Sequence, residues 1–174
     1  MSSLRPAVRN AFAAMVLGLA ATACATSPNV GYGPPPPTST AFDAQHFAWS
    51  QQRGRGAIDG LVNYRQGNRV YACTGSIALT PDTPYTRARF HTLYGGVDRA
   101  AVPEAVVRAR TVPDPNADYR NFVRSETCQN SRFTFEGLPD GGWFLIAPVS
   151  AGSSERIVLM QYGRTRGGRV SVVL

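Results

Sequence analysis

From Ala57 onward, apolar and polar side chains alternate with a period of two. In 71–79 the odd positions Tyr71, Cys73, Gly75, Ile77 and Leu79 are mostly apolar, whereas Ala72, Thr74, Ser76 and Ala78 are small or polar. That is the pattern of a strand with one buried face. The same rhythm predicts strands at roughly 57–65, 69–80, 86–93, 119–127, 132–136, 142–149, 156–161 and 168–174. Gln66-Gly67-Asn68, Gln129-Asn130-Ser131 and Pro139-Asp140-Gly141-Gly142 supply turn chemistry between them. Trp143-Phe144-Leu145-Ile146-Ala147 is apolar on both parities, as expected of a central strand covered on both faces. Residues 95–118 break the rhythm with Gly95-Gly96 and three prolines, and read as a long insertion with room for a short helix or strand. Many short strands at this spacing predict an all-β sandwich of about seven or eight strands.

The pattern before Ala57 is different. Residues 11–23, AFAAMVLGLAATA, carry no charge and follow Arg5 and Arg9. The run is shorter than the ~20 residues of a membrane helix. It fits a secretory signal peptide over 1–23. Residues 25–40 are low in complexity, and the four prolines at 34–37 favour an extended polyproline conformation. We therefore expect 24–41 to be a disordered tether, able to reach ~50 Å at ~3.1 Å per residue. In 42–56 we expect a short helix or an extended arm. Thr40 and Asp43 resemble a capping arrangement, and Phe42, His46, Trp49 and Arg53 then share a helical face. The expected domain is 57–174, carrying the 95–118 insertion.

The end of the apolar run, LAATAC (19–24), resembles a bacterial lipobox. Ala23 precedes the cysteine, Thr22 and Ala21 are small, and Ala21 departs from the leucine preferred at its position. The resemblance implies cleavage before Cys24 and lipid attachment to its sulfur. Each buried methylene contributes about 0.8 kcal/mol, so two or three acyl chains anchor stably. Ala25, in place of the aspartate that retains such proteins in the inner membrane, implies an outer-membrane lipoprotein facing the periplasm or the cell surface. Ala21-Thr22-Ala23 also satisfies an ordinary A-x-A secretion site. That alternative stays open.

RFTFEGLPDGGWFLIAP (132–148) resembles the signature end of carboxypeptidase regulatory-like domains of the transthyretin-like (prealbumin-like) group. Phe133 and Phe135 alternate into a Gly137-Leu138-Pro139 turn, and Gly142-Trp143 starts the next strand. GAIDGLVNY (56–64) is similar to the family's first strand, with Gly60 and Val62 in place. The resemblance implies a transthyretin-like Greek-key β-sandwich over about 57–174. Its members are mostly accessory, adhesive or substrate-presenting modules, and fold alone licenses no activity. One branch hydrolyses 5-hydroxyisourate through a C-terminal Tyr-Arg-Gly-Ser, whereas this chain ends in Val172-Val173-Leu174.

Charge and cysteines refine this picture. The net charge of +7 comes from arginine alone. Loss of 1–23 leaves 16 arginines against 11 acidic residues, or +5. Nucleic acid is the first partner a basic chain suggests. An envelope address replaces it with anionic lipid headgroups or glycans. With Cys24 lipidated, Cys73 and Cys128 remain. In an oxidising compartment they read as a disulfide, with two independent buried thiols as the alternative. The ligand-type residues lack metal-binding spacing, so we expect no metal site and no cofactor. His46 and His91 are the chain's two histidines, and neither G-x-S-x-G nor H-E-x-x-H occurs. We expect no catalysis. YGRTRGGR (162–169) gathers Arg164, Arg166 and Arg169 in a glycine-rich stretch. It reads as a solvated hairpin between the last two strands, or as a contact for lipopolysaccharide or an acidic glycan. Arg87 and Arg89 join that patch only if the fold brings them near. The expected role is a structural or protein-binding accessory module of the envelope, joined to the membrane by its lipid and to a protein partner. Polyanion binding through Arg164–Arg169 is the alternative, and hydrolysis of a small molecule ranks third.

Overall fold

A computed structural model describes residues 39–73, 75–152 and 155–174. The expected signal peptide, Cys24 and most of the tether lie outside the described residues. In chain order the elements are β1 (Gly56–Leu61), β2 (Tyr64–Gln66), β3 (Arg69–Cys73), β4 (Ser76–Pro81), α1 (Pro84–Tyr94), β5 (Arg99–Pro103), α2 (Glu104–Ala109), β6 (Arg124–Thr127), β7 (Arg132–Leu138), β8 (Gly141–Ser150), β9 (Arg156–Thr165) and β10 (Arg169–Val173). Two 3-10 segments, Ala44–Gln51 and Asp118–Phe122, lie outside the sheets.

Two sheets pack face to face. In the smaller, β1 lies between antiparallel β7 and parallel β10. In the larger, β8 is central. β9 covers one edge of β8, and β5 lies beyond β9. On the other edge β3 pairs with the C-terminal end of β8 and β4 with its N-terminal half, while β6 lies outside β4. Ile58, Phe133, Phe135 and Leu138 of the small sheet meet Ile77, Leu79, Trp143, Leu145 and Leu159 of the large one. Burial of each such side chain contributes about 1.5–3 kcal/mol. Tyr71, Ile77 and Leu79 and the paired phenylalanines of β7 are buried as the alternation predicts, and Cys73 packs against the same core, whereas Gly75 is exposed. The large sheet is also covered on its outer face, where Phe144, Val158 and Met160 pack against Phe90 and Tyr94 of α1. Trp143 through Leu145 are therefore fully buried on both parities.

Several expectations need correction. Ten strands form among the described residues, against the seven or eight expected, and the strand expected at 119–127 begins only at Arg124, after the 3-10 segment Asp118–Phe122. The stretch 86–93 is helical. Thr83 accepts from the Thr86 N–H at 3.1 Å, Thr86 Oγ1 accepts from the Thr83 N–H at 2.9 Å, and Pro84 opens the first turn. This reciprocal cap, with buried Thr86, Phe90 and Tyr94 at helical spacing, overrides the local alternation. The 95–118 insertion is no excursion from the fold, because its β5 extends the large sheet and its α2 follows at once. The strand expected at 69–80 is split, with Gly75 at φ 101°. Finally, 162–169 is not a hairpin. β9 continues to Thr165, and the chain crosses to the other sheet, where β10 pairs with β1. Asp140 accepts from the Gly167 N–H and fixes that crossing.

Phe42–Gln51 belongs to the folded unit. Asp43 caps the segment by accepting from the Gln45 N–H at 2.9 Å. Phe47 is fully buried and stacks on Phe122 at 4.8 Å, while Trp49 meets Trp143 edge-on at 4.9 Å. Arg124 donates to the Ser50 carbonyl at 2.8 Å and ties the segment to the β6 edge.

Candidate functional site

β8 and β9 pair with Gly142 opposite Arg164 and Phe144 opposite Tyr162. Side chains two residues apart share a sheet face. Phe144, Tyr162 and Arg164 therefore line the outer face of the large sheet, the face that α1 partly covers. Tyr162 reaches across to Gly142. A Cβ at Gly142 would lie 2.4 Å from the tyrosine Oη and 2.8 Å from Asp82 Oδ2, so a larger residue here would displace both side chains from this approach. Asp82, between β4 and α1, takes Arg87 in a two-point pair, with Arg87 Nε donating to Oδ1 at 3.0 Å and Nη2 to Oδ2. The Arg87 guanidinium lies 5.6 Å from the Tyr162 ring centroid and 5.8 Å from that of Phe144, within the range of a cation–π contact.

Arg87 also borders an open depression of about 670 Å³ along α1. Pro84, Ala88 and Val97 form its apolar wall, with Asp82, Arg87, His91 and Thr40 as its polar margin. An apolar trough with a few convergent polar groups is the usual form of a small-ligand site. The hydrogen bond to Asp82 raises the Arg87 pKa above its ordinary value, so this group stays cationic. Burial, then the Asp82 charge, pushes the Tyr162 phenol upward and keeps it protonated at neutral pH.

The arginines of 162–169 do not act together. Arg169 is held by Asp59 at 2.6 Å and Glu136 at 3.0 Å. That pairing lowers the Asp59 pKa, the Arg169 hydrogen bond being the largest cause and the one from Thr134 the next. Arg164 and Arg166 are exposed and have no carboxylate partner among the described residues. Arg164 shares the outer face of the large sheet with Tyr162, and it is Arg87, from α1, that lies over the Tyr162 ring. Arg89 faces elsewhere, 4.7 Å over the Tyr119 ring. The sequence missed Asp82 and Tyr162. Reading 86–93 as a helix from Thr83-Pro84 would have put Arg87 at the helix start beside Asp82.

Cys73 and Cys128 form a disulfide with Cα atoms 6.1 Å apart. His46 Nε2 lies 3.8 Å from Asp43 and His91 is exposed on α1. Among the described residues, no hydrogen bond joins either imidazole to a hydroxyl or thiol. No group of metal-ligating side chains occurs among them, and no helix among them is long and apolar enough to cross a membrane.

No family model matches the chain, and no curated protein matches it. Among solved structures, it is similar to a crystal structure from Pseudomonas aeruginosa described as a "putative carbohydrate binding protein". The two share 22% identity over 76% of this chain and 96% of that one, with a TM-score of 0.54. The likeness establishes a shared β-rich sandwich fold.

Proposed function

We propose that this protein is a non-catalytic glycan-binding module of the bacterial envelope, lipid-anchored at the outer membrane through Cys24. In this reading the sandwich is of the transthyretin-like kind that 132–148 resembles, and the depression along α1 is the ligand site. The observation that carries the proposal is the Asp82–Arg87 pair beside Tyr162 at the end of an apolar trough. A carboxylate and a guanidinium together accept from and donate to vicinal sugar hydroxyls, and the trough shelters the ring's C–H face. The carbohydrate assignment of the Pseudomonas neighbour agrees with this reading. A glycan array probed with the full-length protein tests it. Binding that Asp82→Asn and Arg87→Gln both abolish is expected, and an array with no bound glycan would overturn it. The anchor has its own test: Cys24→Ser protein that still incorporates labelled fatty acid refutes lipidation.

A second reading, an accessory module that joins a protein partner by strand pairing, is favoured by β5. This short strand has alternating exposure, and its side away from β9 has no strand partner among the described residues. The two readings differ in salt response, since contacts to a polyanion weaken as ionic strength rises and backbone pairing does not.

A further inference from the structure

A second cleft lies where the chain enters β1, between the 52–55 segment, the turn at 139–140 and Gly167. Its volume is about 390 Å³, within the range of small-ligand sites, and it shares no lining residue with the depression along α1. The cleft is closely built. Gly54 donates its N–H to the Gly137 carbonyl at 3.1 Å, and a Cβ at Gly54 would collide with the Leu138 carbonyl. A Cβ at Gly141 would collide with the Trp49 ring, so the half-buried indole rests directly on backbone there and meets Trp143 edge-on. Arg53 and Arg55 line the same cleft, are exposed, and form no ion pair among the described residues. Asp140 is the one carboxylate of the lining, and one of its oxygens already accepts from the Gly167 N–H. The cleft therefore carries a surplus positive charge beside an aromatic ring, whereas in the depression along α1 Asp82 neutralises Arg87.

We infer that this cleft is a second binding site, for an acidic saccharide, with a pyranose ring against Trp49 and its carboxylate or phosphate group held by Arg53 and Arg55. Arginine forks match both oxyanions, as planar pairs of N–H donors facing two oxygens. The C–H face of a pyranose carries partial positive charge and suits the negative face of an indole. The second oxygen of Asp140 accepts from a ring hydroxyl, and its charge repels an anion that brings no hydroxyl to donate. A bare anion is thereby disfavoured against an acidic sugar. A bilayer fits less well, because an inserting tryptophan must stand clear of the protein, and Trp49 is packed on Gly141 and Trp143. The inference goes beyond the glycan-binding reading, whose ligand lies along α1, and either can fail alone.

Trp49 and Trp143 are the chain's two tryptophans, and Trp143 is fully buried, so a ligand in the cleft reports through Trp49. The test is a fluorescence titration of the full-length protein, in a detergent without a sugar headgroup, with glucose, glucuronate, glucose 6-phosphate and inorganic phosphate. We expect glucuronate or glucose 6-phosphate to change tryptophan emission and to bind at least about tenfold tighter than glucose at low salt, a margin that one charge-assisted fork supplies. The arm that binds tells carboxylate from phosphate. The double variant Arg53→Gln and Arg55→Gln, at exposed positions, should lose that margin while its urea melt keeps the wild-type midpoint. Equal affinity for glucose and its acidic counterparts, or a margin that survives in the double variant, would overturn the inference. Inorganic phosphate binding as tightly as the acidic sugars would reduce the site to an anion contact and overturn it. Vesicles of phosphatidylglycerol that shift Trp49 emission where the sugars do not would assign the face to a membrane and overturn it as well. Loss of the margin in Arg87→Gln would place the acidic sugar along α1, against the inference. Glycan-array binding that Asp82→Asn abolishes, with no tryptophan response to either acidic sugar, would overturn this inference and leave the glycan-binding reading standing.

Discussion

Replacing Cys73 and Cys128 with alanine together gives the sharpest test of how this sandwich is held. The disulfide closes a loop of 55 residues. For that length, chain entropy gives about 4 kcal/mol of stabilisation, acting on the unfolded state; engineered and native bridges commonly deliver about 2–4 kcal/mol. The folded state offers part of the same constraint without the bond. Cys73 ends β3 and Cys128 follows β6, and the Cys128 N–H already donates to the Gly75 carbonyl at 3.3 Å. The lower half of the range is therefore expected. With a urea m-value of about 1–3 kcal/mol/M, a loss of ~2–3 kcal/mol lowers the unfolding midpoint by about 0.7–3 M. The m-value should rise, because the unlinked chain exposes more surface on unfolding. Both side chains also touch the main core, so the alanines remove some packing. Reduced wild-type protein is the control, since it keeps both thiols. Fluorescence-monitored urea melts of oxidised, reduced and double-alanine proteins separate the two effects. Coincident oxidised and reduced midpoints would refute the loop-entropy argument and assign any alanine effect to packing.

Other substitutions probe separate parts of the structure. Thr165→Val removes the buried hydroxyl that accepts from Trp143 Nε1 at 3.1 Å and donates to the Pro139 carbonyl at 2.7 Å; a loss of about 1–3 kcal/mol is expected in thermal or urea unfolding, and an unchanged melt would contradict it. Phe47→Ala should cost about 3–5 kcal/mol if Phe42–Gln51 is part of the core, and under 0.5 kcal/mol if that segment is a loose arm. Burial raises the Tyr94 pKa, so its contribution is full below the unfolded value near pH ~10 and declines as pH rises beyond it, when the unfolded chain releases the proton first. Tyr94→Phe should accordingly show a shallower alkaline loss of stability than wild type; identical profiles up to pH ~11 would exclude that role.

The residues that declare themselves in the sequence are those whose neighbours are local or whose burial is complete. Trp143–Ala147 reads as a central strand because both parities are apolar, and β7 because Phe133 and Phe135 alternate with polar residues. α1 is less legible. Arg87 and Arg89 flank Ala88 in strand-like alternation, and the helix is decided by the Thr83–Thr86 cap and by an outer sheet face whose need for cover depends on β9. The candidate site was hidden for the same reason. Arg87, Asp82 and Tyr162 come from an unexpected helix, its preceding turn and a strand about eighty residues later. The arginine-rich stretch was visible as composition, but pairing decides its chemistry. Arg169 finds Asp59 across 110 residues, a match no local window contains.

The parallel pairing of β1 with β10 also has a mechanical side. β1 lies near the start of the folded unit and β10 at its end, side by side from Ala57 opposite Arg169 to Leu61 opposite Val173. Tension between the two ends of this unit drags the strands past one another along their length. Their rungs are then loaded together rather than unzipped in turn. A chain tugged from its N-terminal side would give way last at this seam, with Phe42–Gln51 peeling first.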